Sequence, residues 1–211
     1  MDNLEFITDI VKKHQTEKRF LHTQGVANEA YTLGTIFLPE KADKLKLAGL
    51  LHDITKDFSL EKQLLLCEEY GISVDKENLV PKLLHSKTGC EYARRVFGTE
   101  IVDDEIYNAI LYHTTGRENM TLFESLVYLA DYIEPGRTFE DCVILRKRFY
   151  ELISNSKNAD MKENALIETI VLSFNMTIEN LLSENKCIDF DTIKSRNYYL
   201  KIKQNLQRKF K

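Results

Sequence analysis

The chain has 211 residues, 43% hydrophobic and 29% charged, with a formal net charge of −4. A chain of this length and balance forms an ordinary globular core without disulfides or structural metal, so any metal it holds is expected to serve chemistry. Four scattered cysteines (Cys67, Cys90, Cys142, Cys187) contain no C-x-x-C pair, which argues against a zinc ribbon or a disulfide framework and for a reducing, cytoplasmic setting. The start, "MDNLEFITDIVKK", is acidic and amphipathic, unlike a signal peptide. No uninterrupted apolar run approaches the ~18 residues of a membrane span, so no membrane association is expected.

Apolar residues recur at spacings of three and four almost throughout, and strand-like alternation is nearly absent. The expected fold is all-α, a compact multi-helix bundle. A first helix is expected over about residues 3–14, and a second from Glu17, carrying Arg19 and His22, with Pro39 marking the turn after it. The third starts near Lys41 and ends in the stretch "LAGLLHDITKD". Ser59 is a suitable N-cap for a fourth helix, with Glu61 in its first turn and Gly71 at its C-terminal cap. Helices then follow from just after Pro81 to Gly98, over "DDEIYNAILYHTTG" with Gly116 beyond its end, and over "TLFESLVYLADYIEPG", stopped by Pro135. "TFEDCVILRKRFYELI", a long segment from Asp160 to about Glu184 and a basic segment from Asp191 complete the set. Residues 1–190 are expected to form the main domain and residues 191–211 a basic helical extension packed on or beside it. From Thr192 to Lys211 there are seven Lys or Arg and no acid, leaving 22 basic and 33 acidic residues in the rest of the chain. Such a tail is ordinarily a solvated helix face docked on an acidic body.

The stretch "LAGLLHDITKD" drives an apolar helix into His52 and Asp53, with Lys56 following. Buried charge is costly unless it is paired or bound to metal. Four histidines, His22, His52, His85 and His113, and one acid, Asp131, lie at intervals of 30, 33, 28 and 18 residues. The first three intervals suit helix–turn–helix excursions that return each helix to one centre. Neighbouring helical residues point about 100° apart, so His52 and Asp53 can share a cluster only at a helix end or a distortion. Imidazole plus carboxylate suits iron, manganese or zinc. If the helix continued, Lys56 would share the face of His52, and a lysine beside such a site is a natural phosphate contact. Each residue taken singly also has an ordinary explanation: a half-buried helix histidine at His22, caps or surface residues at His85 and His113, solvated charges at Asp131 and Lys56.

His22, then His52-Asp53, then Asp131 resembles the H…HD…D signature of HD-domain metal-dependent phosphohydrolases. "RFLHTQGV" (19–26), "LAGLLHDITKD" (47–57), "LLHSKTG" (83–89), "AILYHTTGRENMTLFESLVYLADYIEPGR" (109–137) and "ALIETI" (165–170) are similar to the YqeK family of bacterial symmetrical diadenosine tetraphosphate hydrolases. The resemblance covers roughly residues 5–185 and leaves the basic tail outside. It implies metal ligation by His22, His52, Asp53 and Asp131, with iron as the metal, in one or two ions; manganese or another divalent cation also suits the ligands. It implies catalytic roles around Asp53, Lys56, His85 and His113. Arg19, His22, Asp53, Ile54, Thr55, Lys56, His85, His113, Thr114 and Arg137 would surround the nucleotide. The roles of His85 and His113 stay open at this stage: phosphate hydrogen bonding, a second metal position, or protonation of the leaving oxygen.

The implied activity is hydrolysis of diadenosine tetraphosphate to two ADP. The alternatives are an HD phosphohydrolase of another nucleotide, such as a deoxynucleotide, a cyclic dinucleotide or a guanosine alarmone, and a non-catalytic nucleotide- or RNA-binding protein whose best support is the basic tail. A dinucleoside polyphosphate is the expected partner and nucleic acid is not. A homodimer could form through the 160–185 helix or the Tyr198-Tyr199-Leu200 segment.

Overall fold

The computed structural model describes residues 2–74 and 80–209. Among these residues there are ten α-helices, two short 3-10 turns and no strand, as the periodicity predicts. The helices are α1 Asp2–His14, α2 Glu17–Phe37, α3 Ala42–Leu51, α4 Leu60–Tyr70, α5 Leu84–Phe97, α6 Asp104–Tyr112, α7 Leu122–Ile133, α8 Glu140–Ser154, α9 Ala159–Ser183 and α10 Phe190–Lys209. The expected start and stop signals operate. The Ser59 hydroxyl accepts from Lys62 N–H at 3.2 Å to cap α4, and Gly71 ends it in the left-handed region at φ 67°. The helix expected from just after Pro81 is preceded by a 3-10 turn, Pro81–Leu83, and α5 proper starts at Leu84.

The described chain divides into two compact units, Met1–Thr114 with Leu122–Gly136, and Thr115–Thr121 with Arg137–Lys211. In the first, α2 and α3 pair most extensively, α7 lies against α2, α3 and α6, and α5 lies against α6 and α4. Its core includes the fully buried Leu33, Leu45, Leu51, Ile54, Ile106, Ile110, Phe123, Leu126 and Leu129. Gly49 sets how close α2 and α3 come, because a Cβ there would lie only 2.9 Å from Ala27 Cα. That close approach brings His22 of α2 and His52 at the end of α3 together.

In the second unit α9 packs between α8 and α10. Phe149 and Phe174 are fully buried, and Phe174 stacks on Tyr199 of α10 at 6.3 Å between centroids. The basic segment is therefore a packed helix: Thr192, Ser195 and Tyr199, at helical spacing, are its buried face, while Lys194 is well exposed. The excursion Thr115–Thr121 belongs here because Tyr198 donates to Asn119 Oδ1 at 3.1 Å and Tyr199 donates to the Met120 carbonyl at 3.4 Å. By length and a mean hydropathy of 1.3, α9 is apolar enough to cross a membrane, yet its buried face is occupied by α8 and α10.

Candidate metal centre

The first unit gathers four imidazoles and two carboxylates from five helices and the turn after one of them. His22 comes from the second turn of α2. His52 is the C-cap residue of α3, where the helix gives way to successive turns: Ile54 N–H donates to the Leu51 carbonyl, Lys56 to Asp53 and Phe58 to Thr55. This tightening resolves the geometric problem of adjacent ligands, because it turns His52 and Asp53 to one centre. It also means that Lys56 does not continue the face of His52 on a helix; it arrives through the turn. His85 lies in the first turn of α5, His113 is the C-cap residue of α6, and Asp131 is in the last turn of α7.

The centre is organised around Asp53, which is 3% exposed. Its Oδ2 faces His52 Nε2 at 3.5 Å and His22 Nε2 at 3.9 Å, and accepts from Arg19 at 3.0 Å. Its Oδ1 faces His85 Nε2 at 3.2 Å and His113 Nε2 at 3.5 Å. Asp131 Oδ1 completes the first side, 3.0 Å from His22 Nε2 and 3.7 Å from His52 Nε2. The rings of His22, His52 and His113 follow one another edge to face, at 5.5 and 5.0 Å between centroids.

The tautomers follow from the hydrogen bonds. His52, His85 and His113 each present Nδ1 to the backbone carbonyl three residues earlier, Gly49, Lys82 and Ile110, at 2.6, 2.6 and 2.7 Å. A carbonyl only accepts, so these nitrogens carry the proton and Nε2 turns its lone pair to the centre. The result is a cluster of lone pairs and carboxylate oxygens, with His52 Nε2 and Asp53 Oδ1 buried and making no hydrogen bond among the described residues. A buried set of this kind is costly unless a cation satisfies it. Three overlapping groups, His22–His52–Asp53, His52–His113–Asp131 and Asp53–His85–His113, have ligand atoms within 4.8 Å of one another and are able to bind metal.

Burial raises the Asp53 carboxyl, and only rings at His52, His113 and His85 that turned a proton toward it would outweigh that and hold it well below the usual carboxylate range. Burial pushes the His52 ring down, and it pushes His85 down to about 4 with the Lys56 ammonium adding to the effect. Lys56 Nζ lies 3.2 and 3.1 Å from the two ring nitrogens of His85. The Thr114 hydroxyl lies 3.2 Å from His85 Nε2 and 3.0 Å from His113 Nε2.

Of the residues singled out from sequence, Arg19, His22, His52, Asp53, Lys56, His85, His113, Thr114 and Asp131 meet in this one place. Ile54 and Thr55 do not face it. Both are 0% exposed, and the Thr55 hydroxyl donates to the His85 carbonyl at 3.0 Å and lies 2.9 Å from the Thr88 hydroxyl. The Thr55 side chain ties α5 to the turn, and the Ile54 side chain is part of the core. Arg137 belongs to the second unit. Sequence reading missed three supports. Gln15 donates to the Asp53 carbonyl at 2.9 Å, Asp57 accepts from the Thr16 backbone and hydroxyl at 2.8 and 2.9 Å, and Glu134 accepts from His22. Asp57 and Glu134 were visible only as extra carboxylates inside the motifs "HDITKD" and "ADYIEPG".

The HD-domain family model matches residues 19–136, nearly the span of the first unit from α2 onward. The chain is 34% identical over 191 residues to the symmetrical bis(5'-nucleosyl)-tetraphosphatase of Halalkalibacterium halodurans, covering 90% of this chain and 94% of that one. It is 32% identical to the enzyme of the same name from Bacillus subtilis, covering 93% and 97%. A crystal structure from Clostridium acetobutylicum, described as a predicted HD superfamily hydrolase involved in NAD metabolism, superposes with a TM-score of 0.81 at 35% identity, covering 94% of this chain and 97% of that one. The protein is an HD-domain protein and, within that class, belongs to the family of the symmetrical bis(5'-nucleosyl)-tetraphosphatases.

Proposed function

We propose that the chain hydrolyses diadenosine tetraphosphate symmetrically to two ADP, as a divalent-metal enzyme. The observation that carries this reading is the two-sided placement of Asp53, with Oδ2 toward His22 and His52, which Asp131 also approaches, and Oδ1 toward His85 and His113. On the first side His22, His52, Asp53 and Asp131 would hold one ion. On the second, His85 and His113 with Asp53 would hold another where a second ion binds. The imidazole and carboxylate set suits iron, which the family resemblance favours, and also manganese or zinc. Bound there, a divalent cation neutralises phosphate charge and brings the pKa of a water toward neutrality.

The chain's own groups then position the substrate. Attack of water oxygen on the second phosphorus breaks its bond to the oxygen bridging to the third, and each half leaves as ADP. Phosphoryl transfer of this kind depends mainly on positioning and charge. Lys56 supplies a point charge for phosphate, and Arg19, 30% exposed, supplies a fork of donors that can move from Asp53 to a phosphate. The Thr114 hydroxyl is a further donor. His85, neutral at pH 7 with its value near 4, is suited to give a lone pair and unsuited to act as an acid. Arg137 is retained as a nucleotide contact on the family resemblance alone. Cys67, Cys90, Cys142 and Cys187 form no disulfide, which fits a cytoplasmic enzyme.

The test is to purify the chain anaerobically, supply iron(II), incubate with diadenosine tetraphosphate and separate the products. Two ADP, lost with Asp53→Ala, is the expected result. The loss should exceed the ~10–100-fold that removal of a supporting contact costs. ATP plus AMP, or no product, would overturn the reading.

A further inference from the structure

Glu134 is a carboxylate only 2% exposed, three residues past Asp131 at the end of α7. Its Oε1 accepts from His22 Nδ1 at 3.1 Å, and its Oε2 accepts from the backbone N–H of Gly136 at 2.6 Å. Two glycines make its space. A Cβ on Gly25, three residues past His22 on α2, would overlap Glu134 Oε2, and one on Gly136 would lie 2.9 Å from the same oxygen. Gly25 sits inside a regular helix, where glycine is less favourable than alanine. Its missing side chain is explained by the carboxylate. Burying that carboxylate is itself costly unless it is paired and hydrogen-bonded, so two unfavourable choices, a glycine within a helix and a buried acid, meet at the contact with His22.

We propose that Glu134 is the positioning residue of the metal centre: it fixes His22 in the Nδ1–H tautomer, aims Nε2 at Asp131 and Asp53, and makes that nitrogen a stronger donor. The contrast with the neighbouring histidines supports this. His52, His85 and His113 present Nδ1 to neutral backbone carbonyls, whereas His22 presents Nδ1 to a carboxylate. A carboxylate behind a ligating imidazole raises its basicity and locks its orientation, and loss of such a partner typically costs 10–100-fold in metal affinity. The motif pieces "HTQG" and "EPG" therefore form one device: ligand, buried carboxylate and the two glycines that admit it.

The inference rests on His22 being a ligand, and its test reads metal affinity apart from turnover. Cobalt(II) is titrated into metal-free protein and followed by its visible absorption, with His22→Ala identifying the step that His22 serves. Glu134→Gln, which keeps volume, and Gly25→Ala/Glu134→Ala, which adds a methyl where the carboxylate is removed, should both weaken that step 10–100-fold while far-UV circular dichroism stays that of the parent. Wild-type affinity in either folded variant, or a titration that His22→Ala leaves unchanged, would overturn the proposal. A parent chain that takes up cobalt(II) yet leaves diadenosine tetraphosphate intact would sink the proposed function and leave the role of Glu134 standing.

Discussion

At the scale of single residues, the centre depends on which atom of each side chain is engaged elsewhere. His52, His85 and His113 are useful as lone-pair donors because their other nitrogen is tied to a carbonyl of the same segment. Residue type and spacing revealed all four histidines and both aspartates, since buried charge at the end of an apolar run requires a reason. They did not reveal the direction of Ile54 and Thr55, which adjoin Asp53 in sequence but face the core. Thr55→Val tests that reading. It leaves the buried His85 carbonyl and Thr88 hydroxyl short of a partner and should lower stability by about 1–3 kcal/mol, measured by urea denaturation. A variant as stable as the parent, with raised KM, would instead place Thr55 against the nucleotide.

At the scale of elements, α3 matters most, because its two ends tie the fold to the site. Its C-terminal end delivers His52, and Gly49 lets it approach α2. Gly49→Ala would press a Cβ against Ala27 backbone and part the two helices. Overpacking of this kind costs about 1–3 kcal/mol, and cobalt(II) affinity should fall as His22 and His52 separate. Near its other end, Lys44 Nζ lies 2.5 Å from Asp103 Oδ2 and 2.6 Å from Glu105 Oε2, joining α3 to the capped start of α6. Burial would raise the Asp103 and Glu105 carboxyls, but Lys44 hydrogen-bonds both and, with Lys41 on Glu105, holds them below their ordinary values. A depressed carboxylate stabilises the fold above its unfolded value, near 4, and that contribution is lost as pH falls through the lower folded value. Lys44→Ala should therefore be less stable than the parent at pH 7 by under about 1 kcal/mol, the groups being part-exposed. The difference should close as the pH is lowered below about 4, and a gap that persisted in acid would show that packing of the Lys44 stem, not charge, is responsible. Helix limits were legible because caps act locally: Ser59, Gly71 and Pro135 start or stop helices where expected.

For the whole molecule, a fold with this much buried apolar surface should not need the metal. Chelation should abolish activity and leave far-UV circular dichroism unchanged, while restoring cation at 100 times its Kd should add about 2.7 kcal/mol, or roughly 5–10 °C in Tm for a chain of this size. Unfolding on chelation would contradict that. The basic C-terminal segment is integral to the second unit, so deleting residues 190–211 should uncover Phe174 and lower Tm, with loss of the tyrosine near-UV signal.

The sequence by itself determined the all-helical class, the capped helix ends such as Ser59 and Gly71, and the four histidines and two aspartates that meet in the first unit, because periodicity, caps and the cost of buried charge are local or compositional properties. Only the tertiary structure decided that Asp53 faces two sides, that Lys56 reaches His85 through a turn, that Ile54 and Thr55 point away, and that Glu134 stands behind His22. These depend on which helices meet and how closely. That is set by packing among residues distant in the chain, such as Gly49 against Ala27 and Gly25 against Glu134, whose spacing carries no periodic signal.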